Sequence, residues 1–249
     1  MKRYQSQIVI RDKLGEHMKT IIKWFIILGC CLSLFGGVTY AKEQTEAQAK
    51  ILYLTFDDGP SEYTDVLLDL LDAHHMKATF FMLDAEMQRN PEVVKRIISE
   101  GHAVGVHGVS HEKDIFYCGV FGPVKEMDQA NDTLQSISGQ RTVLARTPYG
   151  SSPYLTKKQR EALDSRHYIL WDWNIDSRDW SYRNPQRTFN HTIKDLQKMQ
   201  KEPKVILFHD IKNVIETMTL FIDWMEANQY TSQAITSDLE PVKLWSKSK

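Results

Sequence analysis

Cysteine is scarce in this 249-residue chain, and its three copies are unevenly placed: Cys30 and Cys31 fall in an apolar amino-terminal run and only Cys118 lies beyond it. Without that run no intramolecular disulfide can form, so an exported form of the protein must be held together by its core, as in a bacterial envelope. A surplus of either charge is also missing, with 31 basic residues against 32 acidic, which argues against a broad electrostatic surface for nucleic acid. No Gly-rich phosphate loop accompanies the apolar runs, which disfavours a phosphate-handling barrel. Low-complexity tracts and sequence repeats are lacking too. What is present, 42% hydrophobic residues over this length, suffices for the core of one large domain or two small ones.

The first 41 residues read as an address. From Met18 a basic start, an apolar middle and the small Ala41 before Lys42-Glu43-Gln44 follow the plan of a secretory signal peptide. The charged stretch from Met1 to His17 precedes it, which makes Met18 an alternative start of translation. Left uncleaved, residues 18–41 are close to the minimum spanning length and would contact the membrane as a single anchor. Residues 42–50 are polar and read as a linker to a domain over 51–249.

Beyond the linker, short apolar runs alternate with helical patterns. Seven strands are expected near residues 51–56, 78–83, 102–106, 143–146, 167–171, 204–209 and 231–235. Helices are expected near 61–75, 90–100, 123–137, 156–165, 185–200 and 213–228, two of them opened by Asn90-Pro91 and Asn184-Pro185. Such alternation implies parallel strands with right-handed crossovers, hence an α/β barrel or an open doubly wound sheet.

The polar residues of interest keep to one end of this plan. Asp57 and Asp58 follow the first strand, His107 and His111 the third, Arg146 the fourth, Asp176 and Asp179 the fifth, and His209 ends the sixth. Carboxyl ends of parallel strands share a rim, so residues distant in sequence converge there.

Each candidate has a chemistry and an ordinary alternative. In Thr55-Phe56-Asp57-Asp58-Gly59-Pro60-Ser61, one carboxylate suits a cation and the other a base. The alternative is a turn with Asp58 or Ser61 capping the next helix. His107 and His111, four apart, share a face if the segment turns helically, and with one carboxylate would form an open site for Zn²⁺ or another divalent ion such as Co²⁺. His74, His75 and His102 have no such partner and read as structural or solvent-facing. Arg146 precedes the turn at Pro148-Tyr149, where it suits pairing with Asp57 to keep that carboxylate oriented and ionised, and a backbone N–H such as that of Tyr149 suits a developing oxyanion. Trp171 and Trp173 read as core residues at least as well as ligand contacts, whereas Trp180, after Asp176 and Asp179, fits stacking on a sugar. His209, closing the run that includes Leu207, suits acid or base work if Asp179 orients it.

Taken in order, Thr55-Phe56-Asp57-Asp58-Gly59-Pro60, His107-x-x-x-His111, Arg146-x-Pro148-Tyr149, Asp176-x-x-Asp179-Trp180 and Leu207-x-His209 resemble the five signature motifs of the polysaccharide deacetylases, carbohydrate esterase family 4 with its NodB homology domain. The resemblance covers roughly residues 50–236 and implies a distorted seven-stranded (β/α) barrel that removes acetyl groups from glycans with a divalent metal. It implies Asp58, His107 and His111 as metal ligands and Asp57 as general base. It further implies Arg146 positioning Asp57, His209 as general acid tuned by Asp179, and Trp180 and Leu207 lining the acetyl pocket beside Tyr149. Gly108 departs from the family's usual Ser or Thr and removes a hydrogen bond near the metal. The substrate expected is N-acetylglucosamine in peptidoglycan, against chitin oligomers, xylan or an exopolysaccharide, or a glycan-binding envelope protein without catalysis. No protein partner is implied.

Overall fold

Period-2 alternation in the first strand determines much of the architecture. The computed structural model describes residues 50–247, with side chains through Trp245. Strand β1, Lys50–Asp57, sends Leu52, Leu54 and Phe56 to one face, where they join the large core beneath the helices. Tyr53 points the other way into a smaller cluster with Phe81, Leu144, Trp171, Val205 and Ile235, which fills the inside of a curled sheet. One strand thus serves two cores.

The remaining strands are β2 (Thr79–Met82), β3 (Ala103–Val106), β4 (Leu144–Ala145), β5 (Ile169–Leu170), β6 (Ile175–Asp176), β7 (Val205–His209) and β8 (Tyr230–Ser232). All pairings are parallel, in the order β5-β4-β3-β2-β1-β7-β6, with β8 joined to Lys50–Leu52. Between them lie helices α1 (Thr64–Ala73), α2 (Asp84–Arg89), α3 (Pro91–Ser99), α4 (Lys113–Phe116), α5 (Gly122–Ser138), α6 (Lys157–Ser165), α7 (Asp179–Tyr182), α8 (Pro185–Lys198) and α9 (Val214–Ala227).

The two edge strands, β5 and β6, are joined by residues 171–174 alone. A four-residue link reaches at most about 17 Å, so the sheet has to curl until its edges face one another. The result is the distorted (β/α) barrel expected from the motifs, left with a seam between β5 and β6.

Three expectations need correction. Among the described residues eight strands form rather than seven, because Ile175–Asp176 pairs with Ile206 and Leu207 of β7. Asp176 therefore ends the sixth strand rather than following the fifth, and Asp179 opens α7. Lys50, assigned to the linker, pairs with Tyr230 as the first residue of β1. The short helices α2, α4 and α7 were not anticipated, while the openings at Asn90-Pro91 and Asn184-Pro185 both hold, the Asn184 side chain accepting from Arg187 N–H at 2.9 Å. The signal or anchor at residues 18–41, the alternative start and Cys30 and Cys31 lie outside the described residues, as does the rest of the linker. Among the described residues no helix is long and apolar enough to cross a membrane.

Candidate active site

Register sets the two key groups side by side. Asp57 of β1 pairs in register with His209 of β7, so their side chains leave the same face of neighbouring strands, about 5 Å apart by strand spacing. Thr55 and Leu207 form the same kind of pair one step deeper.

Asp57 is buried and accepts from Arg146 Nη1 at 2.8 Å. The wholly buried guanidinium also donates from Nη1 to Thr55 Oγ1 at 2.7 Å, from Nε to the Trp171 carbonyl at 3.0 Å and from Nη2 to the Asp172 carbonyl at 3.1 Å. Arg146 thus ties Asp57 to the link that crosses the seam. Burial raises the Asp57 carboxyl above the ordinary carboxylate range, with the charges of Arg146 and His209 pulling against it. The expectation that Arg146 simply keeps Asp57 ionised is modified accordingly: desolvation makes the carboxylate a stronger base while Arg146 fixes its direction.

Asp58 turns the other way. Its φ of 73° is a left-handed conformation rare for a side chain other than Gly or Asn. Its Oδ1 is buried without a hydrogen-bond partner among the described residues and lies 3.4 Å from both His107 Nε2 and His111 Nε2. His107 Nδ1 sits 2.7 Å from the Arg146 carbonyl, which fixes the tautomer that bares Nε2 toward the cleft. Burial, opposed by Asp58, pushes His107 down to about 3, so its ring is neutral. An orphaned carboxylate oxygen facing two imidazole nitrogens, with all three ligand atoms within 4.8 Å of one another, is a donor set that fits a divalent cation. Asp58 caps no helix, for α1 begins at Thr64, and its N-cap position makes no side-chain cap bond.

The two histidines meet by a different route from the one expected. Residues 107–111 are not helical: Gly108 has φ 96° and His111 φ 51°. This loop is held by Glu126 of α5, whose Oε2 accepts the N–H groups of Val109 and Ser110, each at 2.8 Å. The geometry also explains Gly108, since a Cβ there would come within 2.9 Å of the Phe116 ring.

His209 Nδ1 lies 2.7 Å from Asp179 Oδ1, and the His209 backbone N–H donates to Asp179 Oδ2 at 2.7 Å. Burial lowers this imidazole, but the Asp179 hydrogen bond and charge, with Asp57 and Asp58 behind them, outweigh it and push it up to about 9. Tyr149 has φ 64°, its hydroxyl donates to the His111 carbonyl at 2.9 Å, and its N–H meets no acceptor among the described residues.

A cavity of about 350 Å³ unites Asp57, Asp58, His107, His111, Tyr149, Trp180, Leu207 and His209. Arg146 and Asp179 stand behind Asp57 and His209, so every residue of the expected site converges. His102 packs edge-on against Phe80 and accepts from Ala78 N–H, His74 pairs with Glu226 on the surface, and neither reaches the cleft. Sequence reasoning left Trp173 open between core and ligand contact, and missed Glu126 and Asp210. Trp173 lines the cavity, half-buried, while Trp171 is core. Glu126 holds the histidine loop. Asp210 binds Ser61 N–H at 3.1 Å and the hydroxyls of Ser61 and Thr64, pinning the turn after Asp58. Only for Asp210, adjacent to His209, was there a local hint.

Residues 44–168 match the profile of a family described as polysaccharide deacetylase. A putative polysaccharide deacetylase of Bacillus subtilis, YheN, is 43% identical over 197 residues, which span 78% of this chain and 70% of that protein. A peptidoglycan-N-acetylglucosamine deacetylase of Bacillus cereus is 35% identical over 204 residues, spanning 80% of this chain and 74% of that one. Among solved structures, the polysaccharide deacetylase Bc1974 of Bacillus cereus superposes with a TM-score of 0.73 at 33% identity, covering 80% of this chain and 98% of its own.

Proposed function

The chain belongs to the polysaccharide deacetylase family, and we propose that it removes N-acetyl groups from N-acetylglucosamine residues of peptidoglycan. The observation that carries this reading is the partnerless Asp58 oxygen facing two imidazoles beside the paired Asp57 and His209. A glycan-binding protein without catalysis has no use for such a set. Relatives named for peptidoglycan deacetylation support the choice of polymer.

Asp58, His107 and His111 would hold the divalent ion, Zn²⁺ in this proposal, which as a Lewis acid would polarise the acetyl carbonyl and lower the proton affinity of water. The chain's own groups do the rest. Asp57, aimed by Arg146, takes a proton from the water that adds to the carbonyl carbon. The free N–H of Tyr149 faces the oxygen on which charge develops. His209, held protonated by Asp179, gives its Nε2 proton to the amide nitrogen as the C–N bond breaks, leaving acetate and a glucosamine unit. Leu207 and Trp180 provide apolar walls for the acetyl methyl and the sugar ring. Export by residues 18–41 would deliver the domain to the cell envelope, where its polymer lies.

The test is acetate release from purified peptidoglycan and from chitin oligomers by residues 42–249, with and without chelator, beside Asp57→Asn. Chelator-sensitive release that falls by 10²-fold or more in Asp57→Asn is the outcome expected of a lost general base. Release that survives the substitution would refute the assignment, and release from chitin alone would refute the polymer.

A further inference from the structure

A second cavity, of about 540 Å³, opens from the catalytic one and shares Asp58, Trp180 and His209 with it. Its outer wall carries Arg183 and Lys212. Arg183 follows α7 in the left-handed conformation at φ 47°, with its N–H on the Asp179 carbonyl at 3.0 Å. Its own carbonyl accepts from Asn213 Nδ2 at 2.7 Å, which joins the α7 loop to the loop after β7. The backbones carrying both cations are therefore anchored to the residues that hold the proposed general acid.

The charges in this cavity do not balance internally. Asp58 is turned to the two imidazoles as a proposed cation ligand and Asp179 is bonded to His209, so neither acid is offered to Arg183 or Lys212. Neither the Arg183 guanidinium nor the Lys212 ammonium has an acidic partner among the described residues. Two unpaired cations beside the Trp180 face, which is 53% exposed, present an apolar ring surface and a positive edge together.

We infer that this cavity is a subsite for a sugar unit bearing a carboxylate, next along the chain from the unit that loses its acetyl group, with Arg183 and Lys212 as its specificity-determining residues. The inference rests on the deacetylase reading and deepens it, for a neutral polymer such as chitin or xylan gives these cations nothing to bind. In peptidoglycan the carboxylate has two alternative sources, the lactyl group of a muramic unit without a stem and, where a stem is amide-linked to that group, the stem itself.

The test uses three tetrasaccharides: neutral chitotetraose, the alternating peptidoglycan oligomer with free lactyl carboxylates, and the same oligomer with stems attached. Acetate release is followed for the protein and for the double variant Arg183→Gln/Lys212→Gln, whose exposed side chains make no bond on which the fold depends. On an anionic oligomer the variant is expected to raise KM roughly three- to tenfold with kcat retained, as two partly exposed ion pairs imply. Chitotetraose kinetics should not move, and added salt should erase the difference between the two proteins. A response to the stem-free oligomer assigns the lactyl carboxylate, and one confined to the stem-bearing oligomer assigns the stem. Equal changes on neutral and anionic oligomers, or none, would overturn the subsite while leaving the deacetylase reading intact. Should no oligomer be turned over, the deacetylase reading fails by itself. Calorimetric binding of the anionic oligomers to the two proteins then decides the subsite, which weaker binding by the variant supports and equal binding refutes.

Discussion

In the proposed mechanism a carboxylate and an imidazole one strand apart accept and donate protons at the same pH, and their surroundings divide the work. Burial raises Asp57, while Asp179 lifts His209 to about 9. Turnover in this mechanism needs His209 protonated, so kcat/KM should hold through neutral pH and fall as pH rises through about 9. Asp179→Asn removes the largest contribution opposing burial and leaves only the charges of Asp57 and Asp58, so the alkaline limb of the rate profile should move down by about one unit or more. A limb that stays in place would exclude His209 as the group titrating. The same pair contributes to stability. Because the folded imidazole titrates above the unfolded value of 6.5, its contribution is complete below 6.5 and is lost as pH rises to about 9. Arg146 is a harsher case. Arg146→Ala strands Asp57 in the interior, and equilibrium unfolding should show a loss of about 3–5 kcal/mol together with the loss of activity. The convergence of the residues proposed as acid, base and ligands was legible in the sequence because each ends or follows an apolar strand, and strand ends in a parallel sheet share a rim.

The loop over residues 107–111 shows what one element borrows from another. Its backbone leans on Glu126, so Glu126→Ala should weaken metal affinity about 10- to 100-fold, with Glu126→Gln retaining part of it. Competition against a chromogenic chelator would measure this, and unchanged affinity would refute the role. Restoring the hydroxyl of the family motif should not help: Gly108→Ser forces a side chain onto the Phe116 ring at a φ of 96°. A loss of about 1–3 kcal/mol in denaturant unfolding is expected. None of this could be read from His-x-x-x-His, which as a pattern suggests a helical turn. The dependence is visible only when α5 is placed beside the loop. Strand β6 was missed for a related reason, since two residues cannot display an alternation and, unlike those of β4 and β5, these do not lie inside a longer apolar run. Trp173, in the link before β6, follows the same logic: its neighbours in space, Arg146 and Gly150, lie far from it in sequence.

Across the whole molecule, the parallel strands and their shared rim were legible because the strand and helix patterns alternate, whereas alternation left a barrel and an open doubly wound sheet equally possible and only the resemblance of the five motifs chose the barrel. Acid sensitivity at this scale has a contributor far from the cleft. Burial pushes His102 down to about 4, so the unfolded chain binds a proton below 6.5 that the folded chain refuses. Stability therefore falls from this source as pH drops from 6.5 toward 4, and His102→Gln should flatten the dependence of Tm on pH in that window. An unchanged slope would show the ring to be protonated in the fold. The seam between β5 and β6 has a consequence in time. The ladders there are two residues long, whereas β1 is bonded on both sides through its carboxyl-terminal half. The cheapest excursion from the native state should therefore part the edges and free Arg146 from the Trp171 and Asp172 carbonyls without melting the barrel. Amides of Ile169, Trp171 and Asn174 should exchange with solvent well before those of β1 and β7, and on slow heating the protein should stop turning over substrate at a lower temperature than the one at which it unfolds.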